Sequence, residues 1–209
     1  MTKTITAAKF LRKKYKRIAL GGAFAASFGQ PERGASWLVY GESGSGKTEF
    51  MVQLAKEMAH HGRVLYVSSE QGDSSSLQMV FKRNEIAATR RITLGVDYTI
   101  NTLHDTLNAK RPPATVIIDS IDYLEMTKND YKTLIKAFPN INIILVSWAY
   151  NGKPKTSKAK DIEYMVDVKV EVRKYVAHPR SRFGGNAPYI IWAERAKQLN
   201  PFLNQGGFD

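Results

Sequence analysis

The order of apolar and polar positions along the chain predicts short buried strands that alternate with amphipathic helices. After residue 34, short apolar runs are followed by segments in which apolar side chains recur every three or four positions. The predicted strands are 37–40, 64–68, 91–94, 115–119 and 141–147, and the predicted helices are 48–60, 76–83, 101–109 and 129–137. This alternation is typical of an α/β fold with a mostly parallel central sheet flanked by helices.

The two ends of the chain depart from that alternation. Residues 8–19 predict a basic helix, and the Gly- and Ala-rich residues 21–34 predict a loop or a joint. Near the other end, 166–173 and 189–193 predict two strands with no helix-length segment between them, so we expect them to form an antiparallel pair. Trp192, in the last of these strands, is interpreted as a core residue.

Length and composition exclude several classes of protein. A chain of 209 residues suits one domain, and we expect a basic N-terminal helix and linker over 1–33 and a core over 34–209. A composition that is 43% hydrophobic and 24% charged excludes a wholly disordered chain. No apolar run is long enough to span a membrane and no secretory signal is recognisable, so we expect a cytoplasmic protein with no membrane partner. The absence of cysteine excludes disulfides, thiolate metal sites and a cysteine nucleophile.

The positive charge is concentrated in two segments. The formal net charge is +12. Residues 1–17 carry several lysines and arginines, residues 151–160 carry four lysines, and neither segment has an acidic residue. Such concentration favours binding to a polyanion, because phosphate contacts release counterions. A solvated surface is the alternative. The candidate DNA-binding residues in the second segment are Lys153, Lys155, Lys158 and Lys160.

A complete phosphate-binding motif follows the first predicted strand. Residues 41–48 read GESGSGKT and match the pattern G-x-x-x-x-G-K-[ST] between a strand and a helix. Glycines let the main-chain N–H groups of such a loop surround phosphate, and the helix N-terminus adds partial positive charge. We expect Lys47 to reach the β- and γ-phosphates and the Thr48 hydroxyl to bind Mg²⁺. The candidate nucleotide-binding residues are Gly41, Glu42, Ser43, Gly44, Ser45, Gly46, Lys47 and Thr48.

Two acidic residues follow other predicted strands. Asp119 ends the apolar strand 115–119, as the metal-binding carboxylate of a Walker-B motif does, although an aspartate there can also cap the next helix. Asp122 is a weaker substitute for that role. Glu70 follows the strand 64–68, and a carboxylate at that edge of a parallel sheet can orient or deprotonate an attacking water. The alternative for Glu70 is a surface acid in a loop.

The order of these motifs resembles the RecA-like P-loop NTPases. The phosphate loop, the glutamate after the next strand and the Asp-Ser pair at 119–120 match the order of the RadA-type recombination ATPases and the replicative DnaB-type helicases. The stretch DIEYMVD at 161–167 is similar to the segment that follows the DNA-binding loop of RadA-type proteins. The stretch RSRFG at 180–184 is similar to their Lys-Asn-Arg-Phe-Gly signature.

The resemblance implies roles for several residues. Glu70 corresponds to the group that activates or positions water, and 153–160 correspond to a flexible DNA-facing loop. Arg180 and Arg182 correspond to basic residues that reach into the ATP site of a neighbouring subunit, which requires a homo-oligomeric ring or filament. Two exposed arginines beside a turn are the alternative.

The sequence also departs from the pattern of that family. Ser147 and Trp148 stand where the family usually carries a Gln or His that senses the γ-phosphate, and Arg180 replaces a lysine.

Taken as a whole, the resemblance implies a Mg²⁺-dependent ATPase that oligomerises and binds DNA in replication or recombination, as a motor or in strand handling. A nucleotide-switched DNA- or protein-binding module with little hydrolysis is one alternative, and a small-molecule or nucleotide kinase is another.

Overall fold

A computed structural model describes residues 4–86 and 90–201. Its strands are β1 (Ser36–Gly41), β2 (Val64–Ser68), β3 (Ile92–Gly95), β4 (Thr115–Asp119), β5 (Asn142–Tyr150), β6 (Lys153–Pro154), β7 (Val168–Arg173), β8 (Val176–Ser181) and β9 (Tyr189–Ile190). Its helices are α1 (Ala7–Leu11), α2 (Gly22–Phe28), α3 (Lys47–Met58), α4 (Ser75–Arg83), α5 (Ile100–Asn108), α6 (Lys128–Ala137), α7 (Ser157–Glu163) and α8 (Ala193–Leu199).

The strands form one sheet in the order β3-β2-β4-β5-β1-β7-β8-β9, with β6 paired to β5. The strands from β3 to β7 in that order run parallel to one another. Strands β8 and β9 continue the sheet antiparallel, and β6 folds back antiparallel on β5. The predicted fold class, a mostly parallel sheet with an antiparallel C-terminal extension, is confirmed. The carboxyl ends of β1, β2, β4 and β5 therefore lie along one edge of the sheet.

Helices cover both faces of the sheet, and each face has its own apolar cluster. Trp37 and Phe50 belong to the cluster beneath α2, α3 and α4. Leu38 and Tyr131 belong to the cluster beneath α5, α6 and α7. Because successive side chains of a strand point to opposite faces, a strand that is covered on both faces needs an apolar residue at nearly every position. This explains why β1, β2 and β4 are buried along their whole length.

The helix starts follow from local capping chemistry. The Thr99 hydroxyl accepts from the main-chain N–H of Thr102, and the Thr127 hydroxyl accepts from that of Asp130, so α5 and α6 each begin with a capping box. The Thr156 hydroxyl caps α7 by accepting from Ala159 N–H. These side chains satisfy amides that have no partner within the helix.

The N-terminal residues differ from their predicted structure. The predicted helix over 8–19 is confined to Ala7–Leu11. Further along, Arg17 forms an antiparallel bridge with Glu32, and Ile18 N–H bonds to the carbonyl of Pro31. Residues 21–34 do not form a loop throughout, since they contain helix α2. Phe28 of α2 is fully buried and lies 5.0 Å from the ring of Trp37. This burial outweighs the low helix propensity of the flanking glycines.

The expected direct pairing of 166–173 with 189–193 is wrong, because β8 lies between β7 and β9. Sequence patterns did not predict β8, because it contains Pro179 and proline has no N–H to donate to a neighbouring strand. Pro179 is tolerated because β9 pairs with β8 only at Val176 and Ala177, so the edge beside Pro179 has no strand on that side. Residues 191 onward leave the sheet and begin α8 at Ala193.

Within the two described ranges, no helix combines the length and the apolar character needed to cross a bilayer.

Candidate functional site

The phosphate-binding motif and both candidate carboxylates line one cavity of about 270 Å³ at the carboxyl edge of the parallel strands. The loop enters from β1, which ends at Gly41, and leaves into α3, which begins at Lys47. The predicted site residues in the lining are Ser43, Gly44, Gly46, Lys47, Thr48, Glu70 and Asp119. Gly41, Glu42 and Ser45 lie on the other side of the loop, where they line a neighbouring recess.

Two glycines give the loop its shape. Gly44 and Gly46 have φ angles of +72° and +102°, which L side chains rarely adopt. A Cβ at Gly46 would also lie 2.8 Å from Cδ1 of Tyr175. Tyr175, at the turn between β7 and β8, donates its main-chain N–H to the Ser45 carbonyl at 2.9 Å. The tip of the β7–β8 hairpin thus supports the phosphate loop, a contact that the sequence analysis missed.

Lys47 is held inside the loop. Its ammonium Nζ donates to the carbonyl oxygens of Gly41 and Glu42, at 2.9 Å each, and the residue is 9% exposed. Burial lowers the pKa of Lys47, while the charges of Asp119 and Glu70 oppose that shift. Lys47 therefore places a desolvated positive charge in the cavity that Asp119 and Glu70 also line.

Asp119 is a buried carboxylate at the end of β4. It is 5% exposed, and its Oδ2 accepts a 2.6 Å hydrogen bond from the hydroxyl of Tyr66 on β2. Burial raises the pKa of Asp119 to about 6, and the Tyr66 hydrogen bond and the Lys47 charge act in the opposite direction. Tyr66 is a second residue that the sequence analysis missed. It lies within an apolar strand, where a tyrosine is taken for a core residue and its hydroxyl is overlooked.

Thr48 and Asp119 supply the donor set for a hard cation. A hydroxyl and a carboxylate in the same cavity are the oxygen ligands that Mg²⁺ takes beside a nucleotide, with phosphate and water completing its octahedron. Among residues 4–86 and 90–201, no cluster of three or more His, Asp or Glu side chains forms a separate metal site. The residues present therefore fit a magnesium ion that is bound together with a nucleotide.

Asp122, the weaker metal candidate, makes structural contacts instead. Its Oδ2 accepts from the Ser147 hydroxyl and from the Trp148 main-chain N–H, both at 3.0 Å. Its Oδ1 accepts from the Thr156 hydroxyl at 3.2 Å. Asp122 thus ties the end of β5 to the start of α7, and it is not among the cavity residues.

Glu70 lines the cavity, and its main chain is hydrogen-bonded to the end of β4. The main-chain N–H groups of Ser69 and Glu70 both bond to the carbonyl of Asp119, at 2.8 and 3.1 Å. The carboxylate is exposed and accepts a hydrogen bond from the indole Nε1 of Trp148 at 3.4 Å. The predicted convergence of Lys47, Asp119 and Glu70 on one crevice is therefore present in the structure.

Another part of the cavity wall combines a guanidinium with aromatic rings. Arg83 donates from Nε to Glu49 Oε2 at 3.2 Å, and its guanidinium carbon lies 4.6 Å from the Trp192 ring centroid. Trp192 is half-buried in this wall, so its interpretation as a core residue is wrong. No motif spacing could have shown this grouping, because Arg83 and Trp192 belong to distant parts of the chain. Planar groups of this kind can stack on a nucleotide base.

Arg180 and Arg182 lie away from this cavity. Strand β8 runs against the parallel strands, so its end lies at the sheet edge opposite the phosphate loop. Both arginines are exposed, and Arg182 Nη1 lies 3.4 Å from Asp167 Oδ1. The next residues pack on α2, where a Cβ at Gly29 would lie 2.2 Å from the Phe183 carbonyl oxygen. Neither arginine is among the residues that line this cavity.

The lysine-rich segment has regular structure rather than the expected loop. Lys153 lies on β6, while Lys158 and Lys160 lie on α7, whose buried Ala159 and Ile162 anchor it to the core. The Thr156 cap and the antiparallel pairing of β5 with β6 give the segment this structure. The Lys155 ammonium lies 5.6 Å from the ring centroid of Trp148, so the segment borders the cavity.

A larger groove of about 510 Å³ lies between α4 and β3, away from these residues. It is lined mainly by apolar side chains such as Leu77, Phe81 and Ile92 and contains none of the phosphate-binding residues. The residues predicted to bind metal and to activate water, Thr48, Asp119 and Glu70, therefore line the smaller cavity.

Comparisons with known proteins identify the family and the fold of the chain. Residues 25–150 match the family model described as the P-loop domain of the GvpD gas vesicle protein. The chain is similar in structure to a KaiC-like protein of the hyperthermophilic archaeon Pyrococcus horikoshii, with a TM-score of 0.57 and 17% identity over 85% of this chain and 99% of that one. At this identity the likeness shows the fold alone, which is RecA-like. No curated protein matches the sequence. The matched range holds the phosphate loop, Glu70 and Asp119 and covers more than half of the chain, which therefore belongs to the family of GvpD P-loop domains.

Proposed function

We propose that the chain is a Mg²⁺-dependent ATPase that assembles into a homo-oligomer and binds DNA. The observation that carries this proposal is the meeting of Lys47, Thr48, Asp119 and Glu70 in one cavity formed by a phosphate loop. These groups supply phosphate binding, metal binding and water activation, the three requirements of ATP hydrolysis.

Each residue has a defined task in that reaction. Lys47 and the loop amides bind the β- and γ-phosphates, and Thr48 and Asp119 hold Mg²⁺, which neutralises phosphate charge when bound. Glu70 accepts a proton from the attacking water as the water oxygen bonds to the γ-phosphorus and the bond to the bridging oxygen of ADP breaks. Arg83 and Trp192 are suited to contact the base.

Oligomerisation is part of the proposal because of where Arg180 and Arg182 lie. Both are exposed at the sheet edge opposite their own phosphate loop. An arginine so placed can stabilise γ-phosphate charge only in the site of another subunit. A ring or filament with ATP at subunit interfaces meets that requirement.

DNA binding is proposed for the lysine segment, defined as residues 153–160. Its four lysines carry no acidic neighbour within the segment, and Lys155 lies beside Trp148 in the cavity wall. Binding of phosphate backbone at this point would occur close to the ATP site. DNA binding by the lysine segment suits a role in replication or recombination.

The test is ATP hydrolysis with no DNA, with single-stranded DNA and with duplex DNA at low salt. We expect Mg²⁺-dependent turnover that DNA raises, and none with Lys47→Ala. Lys153→Gln combined with Lys155→Gln is expected to lower the salt dependence of duplex binding by about two in slope. The matched control, Lys56→Gln with Lys82→Gln, removes two exposed lysines from the other face of the sheet. Equal DNA binding by both double variants would contradict the assignment of the lysine segment.

A second candidate is a nucleotide-switched module that binds a partner and hydrolyses slowly. It is favoured by Trp148, which stands at the position of the expected sensor for the γ-phosphate. ATP binding that Lys47→Ala abolishes, together with turnover that no DNA raises above that of Lys47→Ala, would select this candidate.

A further inference from the structure

Trp148 stands at the carboxyl end of β5, between the phosphate loop and the lysine segment. On one side its backbone is in register with Gly41, the residue at which the loop begins. On the other side, its main-chain carbonyl accepts the N–H of Lys155 at 2.9 Å. Its indole lines the nucleotide cavity and donates to Glu70 Oε2 at 3.4 Å.

The backbone and the ring of Trp148 are both held in place. The carboxylate of Asp122 accepts the Trp148 main-chain N–H at 3.0 Å. The ring meets the Tyr123 ring edge-on, with centroids 5.2 Å apart and planes at 89°. Tyr123 is 51% exposed, and its contact favours the ring orientation in which the indole N–H points at Glu70.

The Glu70 side chain has the opposite character, because it is exposed and follows the end of a strand. Its main-chain N–H is fixed on the Asp119 carbonyl, but an exposed carboxylate on a flexible stem samples several rotamers in solvent. A hydrogen bond from a fixed donor to one oxygen selects among these rotamers and leaves the other oxygen for a water molecule.

We infer that Trp148 is a positioning residue for Glu70, which it orients toward the water that attacks the nucleotide. This inference rests on the proposed function, in which Glu70 activates that water. Trp148 is the residue that departs from the sequence pattern of RecA-like ATPases, and this inference gives it a role. Its indole N–H binds the Glu70 carboxylate, whereas the Gln or His at that position in the family contacts the γ-phosphate.

A double-mutant cycle between Trp148→Phe and Glu70→Gln tests the inference. Phenylalanine keeps an aromatic ring against Tyr123 but lacks the N–H donor. Steady-state ATP hydrolysis is measured for the unaltered chain, both single variants and the double variant, with radiolabelled ATP to detect slow turnover. ATP affinity and the thermal unfolding midpoint are measured for the same four proteins, so that a folding defect is visible.

We expect Trp148→Phe to lower kcat about tenfold with KM changed less than about twofold, and to cause no further loss in the Glu70→Gln background. Equal losses in both backgrounds, or an unchanged kcat, would overturn the inference and leave the proposed ATPase intact. An unaltered chain that binds ATP but does not hydrolyse it would overturn both the water-activating role of Glu70 and the positioning role of Trp148.

Discussion

Tyr66 and Asp119 form a buried hydrogen bond of 2.6 Å between adjacent parallel strands. Tyr66 is fully buried and Asp119 is 5% exposed, so no bulk water competes for the bond. Burial also raises the pKa of the Tyr66 phenol, which therefore stays a hydrogen-bond donor at neutral pH. The bond fixes the direction of the carboxylate that is proposed to hold Mg²⁺.

Removing the Tyr66 hydroxyl should weaken metal binding. We expect Tyr66→Phe to raise the Mg²⁺ concentration for half-maximal ATP hydrolysis about tenfold, because groups that orient metal ligands typically contribute that much. Tyr131→Phe is the matched control, since it removes a buried hydroxyl that donates to Ser36 at 2.9 Å, away from the cavity. Equal Mg²⁺ dependence in the two variants would show that the hydrogen bond does not support the metal site.

The phosphate loop should tolerate alanine at one glycine better than at the other. Gly44 and Gly46 both have positive φ, so either substitution strains the backbone. A Cβ at Gly44 meets nothing within 4 Å, whereas one at Gly46 collides with the Tyr175 ring. We expect Gly46→Ala to weaken ATP binding at least about tenfold more than Gly44→Ala does, measured by calorimetry. Equal affinities would indicate that Tyr175 does not constrain the loop.

The Glu49–Arg83 pair should contribute to stability. The Glu49 side chain is 7% exposed and the Arg83 side chain 43%, so removal of the arginine leaves a nearly buried carboxylate with Asn84 as a remaining donor. We expect Arg83→Ala to lower the free energy of unfolding by about 2 kcal/mol in urea denaturation. Arg195→Ala, also beside Trp192, is expected to cost less than about 0.5 kcal/mol. Similar losses in both variants would contradict a specific role for the pair.

His178 should make stability depend on pH. Burial lowers the pKa of His178, Arg173 lowers it further, and Glu171 opposes these effects. Because the pKa is lower in the folded chain than in the unfolded chain, the unfolded state binds more protons as the pH falls below about 6.5. The stability associated with neutral His178 is therefore present above that pH and is lost toward lower pH.

The measurement is the unfolding midpoint at about pH 7.5 and at about pH 5 for the unaltered chain and for His178→Gln. We expect the drop between the two pH values to be smaller in the variant, which has no titrating ring. A drop of the same size in both proteins would show that His178 does not contribute to acid sensitivity.

Local patterns were enough to predict the parallel part of the fold. The strands 64–68 and 115–119 were predicted with the bounds that the structure gives, because strands covered on both faces need near-continuous apolar runs. The phosphate loop was also predictable, because the backbone geometry of such a loop requires glycines and the binding of phosphate requires a lysine. The convergence of Lys47, Asp119 and Glu70 followed from the rule that parallel strands share one carboxyl edge.

The parts that sequence reasoning missed depend on contacts between distant residues. Helix α2 forms because Phe28 finds a buried position beside Trp37, and β8 forms despite Pro179 because β9 is short. The contacts of Tyr175 with the phosphate loop and of Arg83 with Trp192 likewise join segments far apart in the chain. Neither contact has a spacing that a motif could record.

The central claim is that this cavity binds and hydrolyses ATP, and the most direct measurement compares ATP binding with ATP turnover in three proteins. The unaltered chain is expected to bind Mg·ATP and hydrolyse it. Glu70→Gln is expected to bind ATP but lose most of its turnover, and Lys47→Ala to lose binding as well. Turnover by Lys47→Ala or Glu70→Gln at the rate of the unaltered chain would contradict the account.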